Sequence, residues 1–78
     1  MNSGERLILA QSRMDGAEER MDEAHTAVNY AQRQALGGLI TYEAFEKYNK
    51  HFYQRAQELL YARDAYWEAY GDYHNEEI

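Results

Sequence analysis

The sequence predicts an all-α protein, a coiled-coil-like antiparallel hairpin of two long helices. Three observations support this prediction. The 78 residues contain no proline, and their only adjacent glycines, Gly37 and Gly38, lie near the middle of the chain. Apolar or small residues recur in steps of three and four on both sides of these glycines, and before them the steps alternate without a break. The length allows a single small domain.

The first helix is predicted over residues 3–36. Ser3 is the expected N-cap, and Gly37 is expected to end the helix in the left-handed conformation. An unbroken heptad repeat marks the side of this helix that should pack against the second one. Its members are Leu7, Ala10, Met14, Ala17, Met21, Ala24, Val28, Ala31 and Ala35.

The second helix is predicted over residues 42–73, after a turn at 37–41 and before a frayed tail at 74–78. Thr41 is the expected N-cap, and Ile40 and Phe45 have the spacing of a hydrophobic staple. The apolar stripe of this helix comprises Phe45, Tyr48, Phe52, Ala56, Leu59, Ala62, Tyr66, Ala69 and Tyr73.

A turn this short forces two helices of such length to run antiparallel. Folding the chain at the glycines places Met21 opposite Leu59, Ala17 opposite Ala62 and, nearer the turn, Ala31 opposite Tyr48. In the last two of these layers a small residue meets another small residue or a large one. Arg55 interrupts the stripe near Ala24. We expect its aliphatic stem to cover the seam while the guanidinium reaches water. The alternative is that Arg55 is a buried partner for a tyrosine hydroxyl or a carboxylate.

The second helix carries more apolar surface than one partner helix can cover. Tyr53, Leu60 and Trp67 recur every seven residues beside the main stripe, and Tyr70 lies between the two. An exposed aromatic stripe of this size is unusual on a monomer. It predicts either a homodimer that forms a four-helix bundle or a docking face for another protein.

The composition argues against catalysis and bound cofactors. Without cysteine there is no disulfide and no thiolate metal site, which is typical of a cytoplasmic protein. The three histidines, His25, His51 and His74, fall at different heights of the hairpin and cannot share a metal. The net charge of −6 opposes direct nucleic-acid binding, and the longest apolar run, four residues, is too short for a membrane span. We therefore predict no enzymatic activity, metal or cofactor.

Negative charge collects at the free end of the predicted hairpin. Residues 1–23 and 64–78 together sum to −8, whereas residues 24–63 sum to +2. Such segregation is consistent with a solubilising surface or with an electrostatic ligand for a basic protein. The candidate partner-binding acids are Asp15, Glu18, Glu19, Asp22, Glu23, Asp64, Glu68 and Asp72.

These patterns favour a small, non-catalytic, acidic binding protein that acts as a regulator or inhibitor. Its most concrete form is a phage or bacterial inhibitor that occupies a basic, nucleic-acid-binding surface of a host protein complex. One alternative is an assembly protein whose stripe only forms a homo-oligomer. A second is a secreted helical-hairpin effector, because Tyr73-x-x-x-Glu77 resembles the C-terminal signal of hairpin proteins exported by type VII secretion. Those proteins carry Trp-x-Gly in the turn, where this chain has Leu36-Gly37-Gly38-Leu39.

Overall fold

The computed structural model describes residues 1–77, with side chains through Asn75, and confirms the all-α hairpin. Helix α1 spans Ser3–Leu36 and helix α2 spans Tyr42–Glu77. They pack along their length as a rod of 60 × 17 × 13 Å. The bounds of α1 are those predicted, whereas α2 continues past residue 73 into the expected frayed tail. Ile78 and the side chains of Glu76 and Glu77 lie outside the described residues.

The N-cap of α1 is Asn2, so the prediction of Ser3 was wrong by one residue. Asn2 has an extended backbone (φ −82°, ψ 175°), and its side-chain oxygen accepts a 2.8 Å hydrogen bond from the Glu5 amide. Its side-chain amide also donates to the Glu5 carboxylate. This reciprocal pairing resembles a capping box, except that the Glu5 carboxylate accepts from the side-chain amide of Asn2 and not from its backbone N–H. Its sequence signal was the glutamate three residues after Asn2. Ser3 already belongs to the helix and is buried.

The prediction that Gly37 ends α1 in the left-handed conformation was also wrong by one residue. Gly37 retains helical geometry (φ −81°), since its amide still bonds to the Arg33 carbonyl at 3.0 Å. Gly38 is the residue that adopts the left-handed conformation, with φ 74°. The Leu39 amide then closes on the Gln34 carbonyl at 2.8 Å, which completes a Schellman motif.

The two glycines should respond differently to substitution. Gly38→Ala is expected to lower the free energy of unfolding by about 1–2 kcal/mol, because a Cβ disfavours the left-handed conformation. Gly37→Ala should change it by less than about 1 kcal/mol, in the stabilising direction, because its φ suits any residue and its Cβ would meet only ordinary contacts. Urea unfolding of both variants checks this. Equal losses would contradict the observed cap.

Helix α2 begins as predicted. The Thr41 side-chain oxygen accepts a 3.1 Å hydrogen bond from the Ala44 amide, and the Thr41 carbonyl accepts one from the Phe45 amide. Ile40 and Phe45, the expected staple pair, are both half-buried. The local sequence therefore determines both the position of the turn and the start of α2.

The predicted seam forms the core, with one exception. Every heptad position of α1 is buried or half-buried, as are all but one of those of α2. The exception is Tyr48, which is 47% exposed, whereas Asn49 is half-buried. The seam therefore steps from Phe45 to Asn49 to Phe52, in heptad phase. Tyr48 lies at the edge of the core, because a tyrosine can pack its ring against apolar neighbours while its hydroxyl stays in water.

The core is small. Among the described residues, its buried apolar side chains are Ala10, Ala17, Ala24, Val28, Ala31 and Leu59. Four of these six are alanines, so the helices approach closely and little apolar volume is enclosed. A core of this kind provides marginal stability, roughly 3–5 kcal/mol.

Candidate protein-binding faces

Ion pairs between the helices define two sides of the hairpin. Glu18 and Arg63 approach to 3.7 Å on one side of the seam. On the other side, the pairs are Arg6 with Asp72 at 3.7 Å and Arg20 with Glu58 at 3.6 Å. These contacts confirm the antiparallel arrangement and place residues 13 and 15 of α1 level with about residues 65 and 63 of α2.

The side marked by Glu18 and Arg63 carries the predicted aromatic stripe, and we call it the aromatic face. Leu60 precedes Arg63 by three residues and Trp67 follows it by four, so both adjoin it on the surface of α2. The exposures of the stripe residues are Tyr53 64%, Leu60 60%, Trp67 62% and Tyr70 39%. The hairpin thus leaves this stripe largely uncovered.

The aromatic rings of this face gather toward the free end of the hairpin. Trp67 meets Tyr70 edge-on, with ring centroids 5.4 Å apart, and Tyr66 contacts both of them. His74 extends the cluster, with its ring 4.2 Å from that of Tyr70. Tyr53 is not part of this cluster, because fourteen residues of helix separate it from Trp67 by about 21 Å. Trp67 and Tyr70 are therefore the members that can act together as an anchor.

The eight acids proposed as a partner site fall into two groups. Two of them, Glu18 and Asp72, are half-buried and form ion pairs with Arg63 and Arg6. Each of these half-exposed pairs contributes at most about 1 kcal/mol to the stability of the fold, but the arginines neutralise part of the negative charge. The other six are exposed and form no ion pair within the described residues: Asp15, Glu19, Asp22, Glu23, Asp64 and Glu68.

The negative end is less uniform than its net charge indicates. The acidic stretch of α1 lies level with the part of α2 that contains Arg55 and Arg63. The acidic stretch of α2 lies level with Arg6 and Arg13. On the aromatic face, Asp15 and Asp22 flank Glu18 on α1, and Asp64 lies between Leu60 and Trp67 on α2. Of the six exposed acids, Asp15, Asp22 and Asp64 are therefore the ones that lie on the aromatic face.

The opposite side carries a three-residue polar cluster, in which the pairing of Arg55 with a carboxylate was one of the two expectations and the approach of Arg20 was not expected. The Arg55 guanidinium donates to both carboxylate oxygens of Glu58, at 2.8 and 3.0 Å, instead of extending into water alone. Arg20 approaches the same carboxylate from α1. The hydrogen bond from Arg55 and the two positive charges hold the pKa of Glu58 below its usual value. Glu58 therefore stabilises the hairpin above that usual pKa, and the effect is lost as pH falls through the lowered one. The Arg55-x-x-Glu58 spacing was its sequence signal.

The same side contains an open groove between the helices, with a volume of about 410 Å³. Its floor consists of alanines from both helices, among them Ala10, Ala62 and Ala69. Arg13 lines one wall and Glu68 the other. Sequence reasoning missed this groove because it depends on which residues the packing places at equal height.

The described part of the chain shows no arrangement suited to a metal ion. No three histidine, aspartate or glutamate side chains within it converge on a common point. The ring of His25 lies 5.3 Å from that of Phe52, and His74 lies against Tyr70 at the other end of α2. Over the described residues, neither helix carries an apolar stretch sufficient to cross a bilayer.

Comparison with models of known protein families, with curated proteins and with solved structures finds no match to this chain.

Proposed function

We propose that the protein is a non-catalytic, acidic binding protein that uses its aromatic face to dock on a basic surface of another protein. In its most concrete form it is a phage or bacterial inhibitor that covers the nucleic-acid-binding surface of a host complex in the cytoplasm. The observation that carries this proposal is that Asp15, Asp22 and Asp64 lie on the same face of the hairpin as the exposed Trp67. No nucleic acid or membrane takes part.

The two components of this face serve different steps of binding. The unpaired carboxylates attract a basic surface over a distance of about a Debye length, which raises the association rate. The tryptophan and tyrosine rings then provide apolar contact at short range, where such residues most often anchor interfaces. Trp67 and Tyr70 contact each other edge-on, so the two rings offer one continuous apolar surface to a partner.

Charge density limits how closely the chain can imitate a nucleic acid. B-DNA presents one charge about every 1.7 Å. Acids spaced four residues apart on a helix, such as Asp64 and Glu68, recur only about every 6 Å. A basic partner must therefore be engaged by acids of both helices together, and the aromatic face offers this through Asp15, Asp22 and Asp64.

The test is capture of partners from the organism that encodes the chain, with the protein immobilised. We expect basic proteins to be retained, and to be released by high salt and by competing duplex DNA or RNA. Asp15→Lys/Asp64→Lys should slow their association by at least about tenfold. Trp67→Ala should instead speed dissociation, by about tenfold or more. Surface plasmon resonance with the captured protein separates the two rates.

The matched control reverses two charges at the other end of the hairpin. Glu43→Lys/Glu46→Lys makes the same change in net charge away from the aromatic face and should bind as the wild type does. Helical circular dichroism should be the same for all variants. The proposal would be refuted if the association rate changed neither with added salt nor in the Asp15→Lys/Asp64→Lys variant.

A second candidate function is assembly, in which the aromatic face only joins two copies of the chain. The small, alanine-rich core favours it, because chains of this size gain stability by oligomerisation. In that case light scattering gives about twice the 9.2 kDa chain mass, and Leu60→Asp/Trp67→Asp halves it. An unchanged mass in this variant would exclude self-association through the stripe. Recovery of the protein from culture supernatant would instead favour the secreted effector.

A further inference from the structure

A row of ion pairs on the side opposite to the aromatic face lacks its middle member. The row joins α1 positions seven residues apart to α2 positions seven residues apart. Its α1 members are Arg6, Arg13 and Arg20, and its α2 members, in facing order, are Asp72, Ala65 and Glu58. The outer two pairs form, at 3.7 and 3.6 Å. The middle pair has an arginine but no carboxylate, because Ala65 stands at that level.

The groove described above lies at this gap. Arg13 on one wall and Glu68 on the other are both exposed, and within the described residues neither forms an ion pair. The alanines between them leave the floor open, so that another helix can approach closely. Leu9 and Tyr61, 37% and 65% exposed, add apolar surface at the edges. Arg6 and Asp72 also line the groove but pair with each other, so within the described residues it presents one positive and one negative side chain without an ion-pair partner, on facing walls of an alanine floor.

We propose that a second copy of this chain docks on the groove, so that Arg13 of each copy pairs with Glu68 of the other. A two-fold axis parallel to the rod stacks α1 of each copy on α2 of its partner, at equal height. Position 68 lies level with about position 10, three residues from Arg13. That offset is about 4.5 Å along the helix, which an arginine side chain spans.

Charge selects this arrangement over the other symmetric one. A two-fold axis perpendicular to the rod would stack the row of Arg6, Arg13 and Arg20 on its own copy and oppose like charges. In the parallel arrangement each arginine wall faces a wall that carries carboxylates. The face is therefore self-complementary, which an interface between identical copies requires.

This inference is independent of the function proposed above and is compatible with it. A dimer formed through the groove leaves Trp67 and Tyr70 exposed on the opposite side. Each dimer would then present two aromatic faces, directed away from each other, to two basic sites. Loss of dimerisation and loss of partner binding can be measured separately, because different residues carry them.

The experiment uses two single charge reversals of the full chain, Arg13→Glu and Glu68→Arg. Each places like charges across the groove twice per dimer and should weaken self-association by about tenfold or more, as measured by sedimentation equilibrium. Mixing the two variants should restore the dimer, because one copy then carries two acids and the other two arginines. Circular dichroism verifies that each variant remains helical.

Mixing distinguishes pairing between copies from pairing within one chain. If Arg13 and Glu68 only stabilise their own hairpin, the mixture stays monomeric and the proposal fails. It fails also if the wild type is a monomer, or if Arg13→Glu remains dimeric while Leu60→Asp/Trp67→Asp does not. Arg33→Glu is the matched control, since Arg33 is exposed at the turn end, and it should dimerise as the wild type does. Should a reversal unfold the chain, Arg13→Gln and Glu68→Gln test the same contact, each with a smaller loss.

Discussion

Leu59→Ala is expected to lower the free energy of unfolding by about 2–5 kcal/mol. Leu59 is 3% exposed and is the largest of the buried apolar side chains among the described residues. Its truncation opens a cavity where the remaining core consists mostly of alanines, which cannot expand to fill it. Because the total stability of such a hairpin is itself only roughly 3–5 kcal/mol, the variant should be largely unfolded at room temperature. Far-UV circular dichroism during urea titration measures the effect.

The adjacent residue provides the control for this prediction. Leu60 is 60% exposed, so Leu60→Ala removes the same atoms without opening a cavity. It should change the free energy of unfolding by no more than about 0.5 kcal/mol. Both variants must be compared at one protein concentration, because self-association would add to apparent stability. If Leu59→Ala and Leu60→Ala lowered the free energy of unfolding equally, α2 would have to be rotated so that both leucines face α1.

Ala17→Leu should also destabilise the protein, by about 1–3 kcal/mol, although it adds apolar surface. Ala17 is 2% exposed, at a level where the sequence places Ala62 of the other helix opposite. A leucine there can be accommodated only if the helices move apart or the side chain leaves its preferred rotamer. Thermal unfolding of the variant should show a lower midpoint than the wild type.

Ser12→Leu is the control for this overpacking. Ser12 lies on the same helix but is exposed, so the added leucine meets solvent rather than α2. Its effect on stability should stay within about 0.5 kcal/mol. A higher melting temperature for Ala17→Leu would show that the core has space at this level and that the close approach of the helices is wrong.

The register was predictable in outline, whereas the surface contacts that depend on it were not. Folding the chain at the glycines placed Ala17 opposite Ala62, and the observed ion pairs lie close to that register. The pairing of Glu18 with Arg63 and of Asp72 with Arg6 required more, namely which side of the seam each residue occupies. The net charge of the free end counted all eight acids as available to a partner. Two of them, Asp72 and Glu18, are partly neutralised by arginines of the other helix.

The sequence by itself determined the elements of this protein: α1 over 3–36, the turn, the Thr41 cap and the heptad seam. These follow from spacing along one chain and from local capping, which need no distant partner. Only the tertiary structure decided that Asn49 replaces Tyr48 in the seam, that Arg55 and Arg20 share Glu58, and that a groove separates Arg13 from Glu68. The physical reason is that such contacts depend on a rotation of a fraction of a turn and a shift of a few ångströms between two helices. Packing of the whole interface determines both, and no local pattern encodes them.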